Sequence, residues 1–403
     1  MEAPQPVGLS ALPGVRTFRS RRFRTMLAAV LWLIGATILS LLLLHQANDP
    51  AGQYAIDFGD YHVAAQRLAQ GASPYAPEML RGPVDAQGVD RYRYPPPLAQ
   101  ALEPLAGMDV RSAAAVWLLL QAVAVLAAVW MAARAGGARR SLETLLWCGA
   151  AATWFMPIFD TLWKGNVSGF LALAVAVAVS GGAAGGVALA LATLLKLAPI
   201  VYLPGLAGGP RRPLLAAGFT ALAVVGVSVV LAPSAWSDYA VVLPNLLAGR
   251  ADEVSNLAPS AVAGRLGLPE AFVSFVRLAA LAAVVGCCGA AFLVAHRPRG
   301  VAASVALGTA AMLLLPAALW YHYLVVLLPL AACAWPGSTG RLRGALLAGA
   351  LLVVAGIAWL PAALLGGAVM LSATLLALWP RTSGAAAAGR HVGTPVTGVA
   401  PSG

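Results

Sequence analysis

Charge is scarce in this sequence. Ten per cent of its 403 residues are Asp, Glu, Lys or Arg, against 60% hydrophobic residues. A soluble chain of this length would be expected to divide into two or more domains. That class is excluded here, because apolar runs of about 20 residues recur along the chain, which is the hydrocarbon thickness of a bilayer written in helix residues. Strict alternation of polar and apolar residues is missing from those runs. They are Ala- and Leu-rich, which excludes a membrane barrel and leaves helices. Cysteine is rare too. Cys148, Cys287, Cys288 and Cys333 all fall in apolar runs, form no disulfide framework and lack zinc-ligand spacing. They read as small core residues. Acid is the scarcer sign of charge: 15 Asp plus Glu against 26 Lys plus Arg, a net charge of +11. No RNA- or DNA-binding module accompanies the basic excess, so nucleic acid is not an expected partner. The excess instead fits Lys and Arg gathered on cytoplasmic loops. No internal repeat stands out, which weighs against many transporter folds.

What is present is an all-α pattern. Membrane segments are expected near 26–44, 112–133, 142–158, 167–181, 183–196, 198–209, 213–232, 269–295, 300–318, 321–335, 344–360 and 362–379, about twelve in all. Arg16, Arg19, Arg21, Arg22 and Arg24 precede the first run, and no small-x-small cleavage site follows it. A retained first helix with a cytoplasmic N-terminus fits better than a signal peptide. The stretch 181–209 reads either as one long pass or as two short ones broken at Lys196-Leu-Ala-Pro199, where proline removes a backbone donor, and the two-pass reading keeps Arg211 and Arg212 inside. Residues 1–380 are read as one integral membrane domain and 381–403, rich in Gly, Ala, Thr and Pro, as a disordered cytoplasmic tail. Three loops of substance, 45–111, 159–166 and 233–268, then lie on the non-cytoplasmic side of the plasma membrane. The inner loops are short and merely basic.

Polar residues with chemical potential gather in those outer loops. In 57–70, Phe58, Tyr61, Ala65 and Leu68 form one helical stripe, and Asp57, Asp60, Ala64 and Arg67 its neighbour. The spacing predicts a short amphipathic helix on the membrane surface. Asp57 and Asp60 stand one turn apart at its start, where carboxylates also suit the helix dipole. The alternative to capping is a general base, since a carboxylate beside an apolar surface is poorly hydrated and suited to taking a proton from an alcohol. A carboxylate pair can also bind a divalent cation, but the spacing is D-x-x-D and not D-x-D, so no metal and no cofactor is expected. Arg91-Tyr92-Arg93-Tyr94-Pro95-Pro96-Pro97 should be extended, with arginines facing one way and tyrosines the other. Arginine suits phosphate and tyrosine can stack on sugar, while a rigid loop with interfacial anchors is the plain alternative. Lys164-Gly165-Asn166 sits between two segments. Lys196 is an ionisable group at membrane depth, either functional or snorkelling to the interface. Trp320-Tyr321-His322-Tyr323 ends another segment, and the loop 245–265 adds Asn256, which a plainly solvated loop would also explain.

Taken in order, Asp57-Phe-Gly-Asp-Tyr61-x-x-Ala64-Ala65, Gly71-x-x-x-Tyr75, Tyr94-Pro95-Pro96, Gly165-Asn166-Val-Ser168, Lys196-x-x-Pro199 and Trp320-Tyr-His322-Tyr323 resemble the pattern of glycosyltransferase family 87. This is a GT-C-type membrane family that uses polyprenyl-phosphate sugars, and the likeness extends to the mannosyltransferase of phosphatidylinositol mannoside synthesis. The resemblance covers roughly residues 55–325. It implies a GT-C-like fold, a polyprenyl-phosphate-linked sugar donor, a lipid-linked glycan acceptor and catalysis on the outer face among membrane lipids. It places the catalytic base at Asp57, with Asp60, where the pattern usually has an apolar residue, as an alternative base or acceptor contact. Arg91, Arg93, Lys164, Lys196 and His322 are then candidates for the donor phosphate or sugar. Tyr61, Tyr94, Asn166 and Asn256 are further substrate contacts. The Asn-Gln-Ser-like element expected in the later outer loop is only partly present, as Ser255-Asn256-Leu-Ala. The expected activity is inverting transfer of a sugar, mannose foremost, with arabinofuranose as the alternative within the same class. A transporter or flippase of lipid-linked sugars and a non-catalytic envelope scaffold are the readings from other classes.

Overall fold

The computed structural model describes residues 20–49, 53–84, 92–248 and 255–380. Among them there are helices and no strands. The expected tail at 381–403 lies outside the described residues, as does Arg91.

Helices begin where short polar side chains can satisfy their first amide groups. Ser20 Oγ accepts from Phe23 N (3.2 Å) at the start of α1, Arg21–Asn48. α2 is Ile56–Ala69 and α3 is Pro96–Leu102. Asp109 Oδ1 accepts from Arg111 N (3.1 Å) and Ser112 N (3.0 Å) at the head of α4, Val110–Ala135. Ser141 caps α5, Leu142–Trp154, through Thr144 N (3.2 Å). α6, Met156–Lys164, follows α5 at a bend of 69°. Pro157, which cannot donate to the preceding turn, accounts for the break. α7 is Ser168–Val179 and α8 Gly182–Leu195. A 3₁₀ turn, Ala198–Tyr202, leads into α9, Leu203–Gly208. α10 is Arg211–Leu231, α11 Pro233–Ala248, α12 Pro259–Arg265, α13 Glu270–Ala295 and α14 Gly300–Leu314. Another 3₁₀ stretch, Tyr321–Val326, opens α15, Leu327–Ala334, and the last described helices are the packed pair α16, Gly340–Ala355, and α17, Leu360–Leu378.

Among the described residues, five helices are long and apolar enough to cross a membrane: α1, α4, α10, α13 and α17. The bent pair α5–α6 makes a sixth if taken as one span. Their exposed faces carry side chains such as Leu33, Leu119, Phe219, Leu278 and Leu376, as helices surrounded by hydrocarbon require. The chain is a membrane protein. Of the twelve segments expected from hydropathy, five or six thus have the length and apolarity of a spanning helix. Several of those runs fold as shorter pieces: α7 has 12 residues, α8 has 14 and α14 has 15. At 1.5 Å per residue these are about 18–22 Å long, against roughly 30 Å of hydrocarbon.

The short helices position the site. α6 ends and α7 begins at Lys164–Ser168, α8 gives way to the 3₁₀ turn at Lys196–Leu197, and α14 is followed by Leu315–Trp320. These three turns border one cavity. A large apolar core of α4–α8, α14, α15 and α17 residues lies on one side of it. A second core, built on Phe58, Tyr61, Tyr75, Tyr92, Trp117 and Tyr239, lies on the other.

Candidate active site

The helix that carries the carboxylates folds as its stripe dictates. Phe58, Tyr61 and Ala65 of α2 are buried, while Asp57 and Asp60 are half-buried at the cavity wall. Two backbone features seat it. Ala55, immediately before α2, is left-handed at φ 54°, and its N–H donates to Trp163 O (2.7 Å). Gly165 ends α6 at φ 69°, and a Cβ there would lie 2.7 Å from Phe58 Cβ. Trp117 Nε1 donates to Gly165 O (2.7 Å), so the Lys164–Asn166 turn is wedged between α2 and α4. Gly165→Ala adds both the left-handed penalty of about 1–2 kcal/mol and a clash that pushes Phe58, and Asp57 with it, off the turn. The expected result is a lower melting temperature of the purified protein together with a loss of activity larger than the loss of folded material. Trp117 and Gln121 also fix the depth of the site: they lie 7 and 11 residues into α4, about 10–17 Å along it from its cavity end.

Asn166 is the centre of the hydrogen-bond network. Its Oδ1 accepts from Ser168 N (3.1 Å) and Ser168 Oγ (2.7 Å). A backbone N–H can only donate, so the amide orientation is forced. Nδ2 then donates to Asp57 Oδ2 (2.7 Å), with Tyr61 OH and Tyr94 OH at 3.4 and 3.5 Å. Gln121 Nε2 donates to the Asn166 carbonyl. Asn166 is 3% exposed, and in this structure it orients Asp57. Tyr61 OH donates to Tyr94 OH (2.9 Å). Burial pushes both phenols up from their ordinary range, so they stay neutral donors at physiological pH.

The segment after the undescribed Arg91 is held by its tyrosines. Tyr92 OH donates to Pro95 O (2.5 Å) and accepts from Ala99 N (3.0 Å), and Tyr75 OH donates to Tyr94 O (2.9 Å). Residues 92–95 are non-helical, with Pro95 extended, but Pro96 and Pro97 are the first residues of α3 and not part of a polyproline stretch. Proline costs nothing in a first helical turn, where its missing N–H would have no partner. Arg93 lines the cavity.

Facing α2 are the ends of α6, α8 and the 321–326 stretch. Lys196 follows α8 in extended conformation. Its ammonium is buried without a hydrogen-bond partner, 3.5 Å from the centroid of the Tyr323 ring and 5.7 Å from that of Tyr94. His322 is 2% exposed; its Nδ1 lies 3.2 Å from Asp160 Oδ2, and its Nε2 is buried without a partner. Lys164 Nζ lies 3.6 Å from Asp160 Oδ1. Asp160 is absent from the sequence-derived candidates. A lone carboxylate on an apolar stretch, one helical turn before a lysine, was the signal that could have found it.

The cavity enclosed by these groups measures about 610 Å³. It brings together nine candidates: Asp57, Asp60, Tyr61, Arg93, Tyr94, Lys164, Asn166, Lys196 and His322. Asn256 is not among the lining residues. Its side chain donates to Ala317 O (2.9 Å) and accepts from Ala258 N (2.8 Å) and Leu319 N (2.9 Å), so it braces the turn that presents Trp320 and His322. The remaining wall is largely apolar: Ile56, Leu197, Ala198, Leu243, Leu246, Pro316 and Trp320, with Tyr239. Such a chamber offers a proton acceptor, several cations for an anionic group and a greasy side for an aliphatic chain.

A family model described as Glycosyltransferase family 87 matches residues 92–316, more than half of the chain. The match includes Arg93, Tyr94, Lys164, Asn166 and Lys196, while Asp57 and His322 lie outside it. No curated protein and no solved structure matches the chain.

Proposed function

The chain belongs to glycosyltransferase family 87 and is a membrane glycosyltransferase, and from that footing we propose that it transfers a sugar from a polyprenyl phosphate to a lipid-linked glycan. Mannose is the proposed sugar, by likeness to the mannosyltransferase of phosphatidylinositol mannoside synthesis. The observation that carries this reading is a single cavity holding Asp57, oriented by Asn166, opposite Lys196, Arg93, Lys164 and His322, with apolar side chains along the rest of its wall.

A sugar on a lipid phosphate is already activated. Asp57 takes the proton of an acceptor hydroxyl as that oxygen bonds to the anomeric carbon. The bond from that carbon to the phosphate oxygen breaks on the opposite face. The electron pair leaves with the polyprenyl phosphate, whose charge Lys196 and Arg93 offset in a poorly hydrated site. One displacement inverts the anomeric centre. The aliphatic chain of the donor runs along Leu197, Leu243 and Leu246. Sidedness follows from charge. Arg134, Arg139, Arg140, Arg211, Arg212, Arg297, Arg299, Arg341 and Arg343 occupy helix ends and turns away from the cavity, and Arg24 reaches Glu143 at that same end (2.8 Å). The positive-inside rule supports a cytoplasmic side for that end, and with it a cavity on the outer face of the plasma membrane.

The test is reconstitution in lipid vesicles with radiolabelled polyprenyl-phosphate mannose and extracted acceptor lipids, with the anomeric configuration of the product read by NMR. Labelled product of inverted configuration is expected. Transfer from the arabinofuranosyl donor alone would change the sugar. Movement of the donor across the vesicle without transfer would replace the reading by transport.

A further inference from the structure

Asp57 and Lys196 line one cavity, and although burial pulls the pKa of the Lys196 ammonium down to about 7, the Asp57 carboxylate acts to keep it charged. Yet none of the ion pairs among the described residues joins them. A lysine has a long flexible stem, and in a poorly hydrated site an ammonium is drawn strongly to a carboxylate. If the two closed on each other, the base would be neutralised and the cation spent before any substrate arrived. No hydrogen bond sets where the ammonium rests, because it has none. What the ammonium does touch is the Tyr323 ring, 3.5 Å from its centroid, with the Tyr94 ring behind at 5.7 Å. Asp57 is held from its own side by Asn166 Nδ2. The Arg93 guanidinium lines the same cavity and repels the ammonium, and His322 is paired with Asp160.

We infer that Tyr323 is a positioning residue whose ring face parks the Lys196 ammonium off Asp57, leaving the carboxylate able to accept a proton and the ammonium able to meet a phosphate. A cation–π contact suits this task. It offsets part of the cost of a desolvated charge without using any of its three N–H donors, so all three remain for phosphate oxygens. The inference rests on the proposed phosphate-linked donor.

The experiment compares wild type, Tyr323→Phe, Tyr323→Leu, Lys196→Met and the Lys196→Met/Tyr323→Leu double variant, each checked for a monodisperse peak in detergent. Two quantities are read: kcat and KM for transfer, and the dissociation constant for polyprenyl phosphate from the fluorescence of Trp320 and its neighbours. Tyr323→Phe keeps the ring face and should retain most of both. Tyr323→Leu should lose about 10–30-fold in kcat, the scale of a desolvated cation–π contact, and bind polyprenyl phosphate more weakly. In the double variant, loss of the ring should add nothing to the loss of the ammonium. Equal losses in the Phe and Leu variants, wild-type behaviour of the Leu variant, or multiplying losses in the double variant would each overturn the inference. If Tyr323→Leu does not fold, Tyr323→Met takes its place. Failure of the wild type itself to bind polyprenyl phosphate would bring down the donor assignment, and this inference with it.

Discussion

Asp57→Asn is expected to lower the transfer rate by about 10²–10⁴-fold, the range for removal of a general base, with no loss of folded protein. The substitution is conservative in geometry. Asn166 Nδ2 now donates to Asp57 Oδ2 at 2.7 Å, and an amide oxygen at that position can accept the same hydrogen bond. Basicity is what disappears. Asp60 stands one turn further along α2 and also lines the cavity, but Asn166 does not orient it. Asp60→Asn should therefore cost less than about tenfold, and mainly in KM for the acceptor. The comparison is made on purified protein with both substrates varied. A dead Asp60→Asn beside an active Asp57→Asn would move the base to Asp60. Two active variants would remove the carboxylate from the mechanism.

Lys196→Met carries the second large effect, and it combines two opposite signs. The ammonium is buried and without a hydrogen-bond partner, so the folded protein bears a desolvation cost that an unbranched apolar side chain does not. The variant should melt higher, by roughly 2–4 °C for each kcal/mol recovered. It should also transfer sugar about 10²–10³-fold more slowly, the usual loss when one group stabilising developing charge is removed. A residue that weakens the fold and is needed for turnover marks a functional site in a way that neither measurement does alone. Thermal denaturation followed in parallel with kcat decides it. A variant that is both less stable and less active would make Lys196 a structural residue.

Much of this site could be read before any coordinates. The stripe of Phe58, Tyr61 and Ala65 has the helical period, so α2 and the placing of Asp57 at its first turn followed directly. Other parts could not be read, for identifiable reasons. Hydropathy reports the apolar character of a window and says nothing of where a helix stops, so the run 300–318 looked like a span although α14 ends at Leu314. Asn166 and Asn256 both looked like substrate contacts, because a polar side chain near a membrane edge does not announce its direction. One turned out to face Asp57 and the other to brace backbone. α11 was taken as part of a loop, although Trp236, Tyr239, Leu243 and Leu246 recur at helical spacing. Asp160 escaped because pairing with Lys164 at i, i+4 is what a solvated helix surface also shows, and only the fold brings His322 to its other oxygen.

Helices that stop short leave the chamber sunk some way along α4 from its near end. Water is the rival nucleophile for any glycoside on a good leaving group. On the proposed function, a recess walled by Leu197, Leu243 and Leu246 keeps that rival scarce, and hydrolysis of the donor is suppressed relative to transfer.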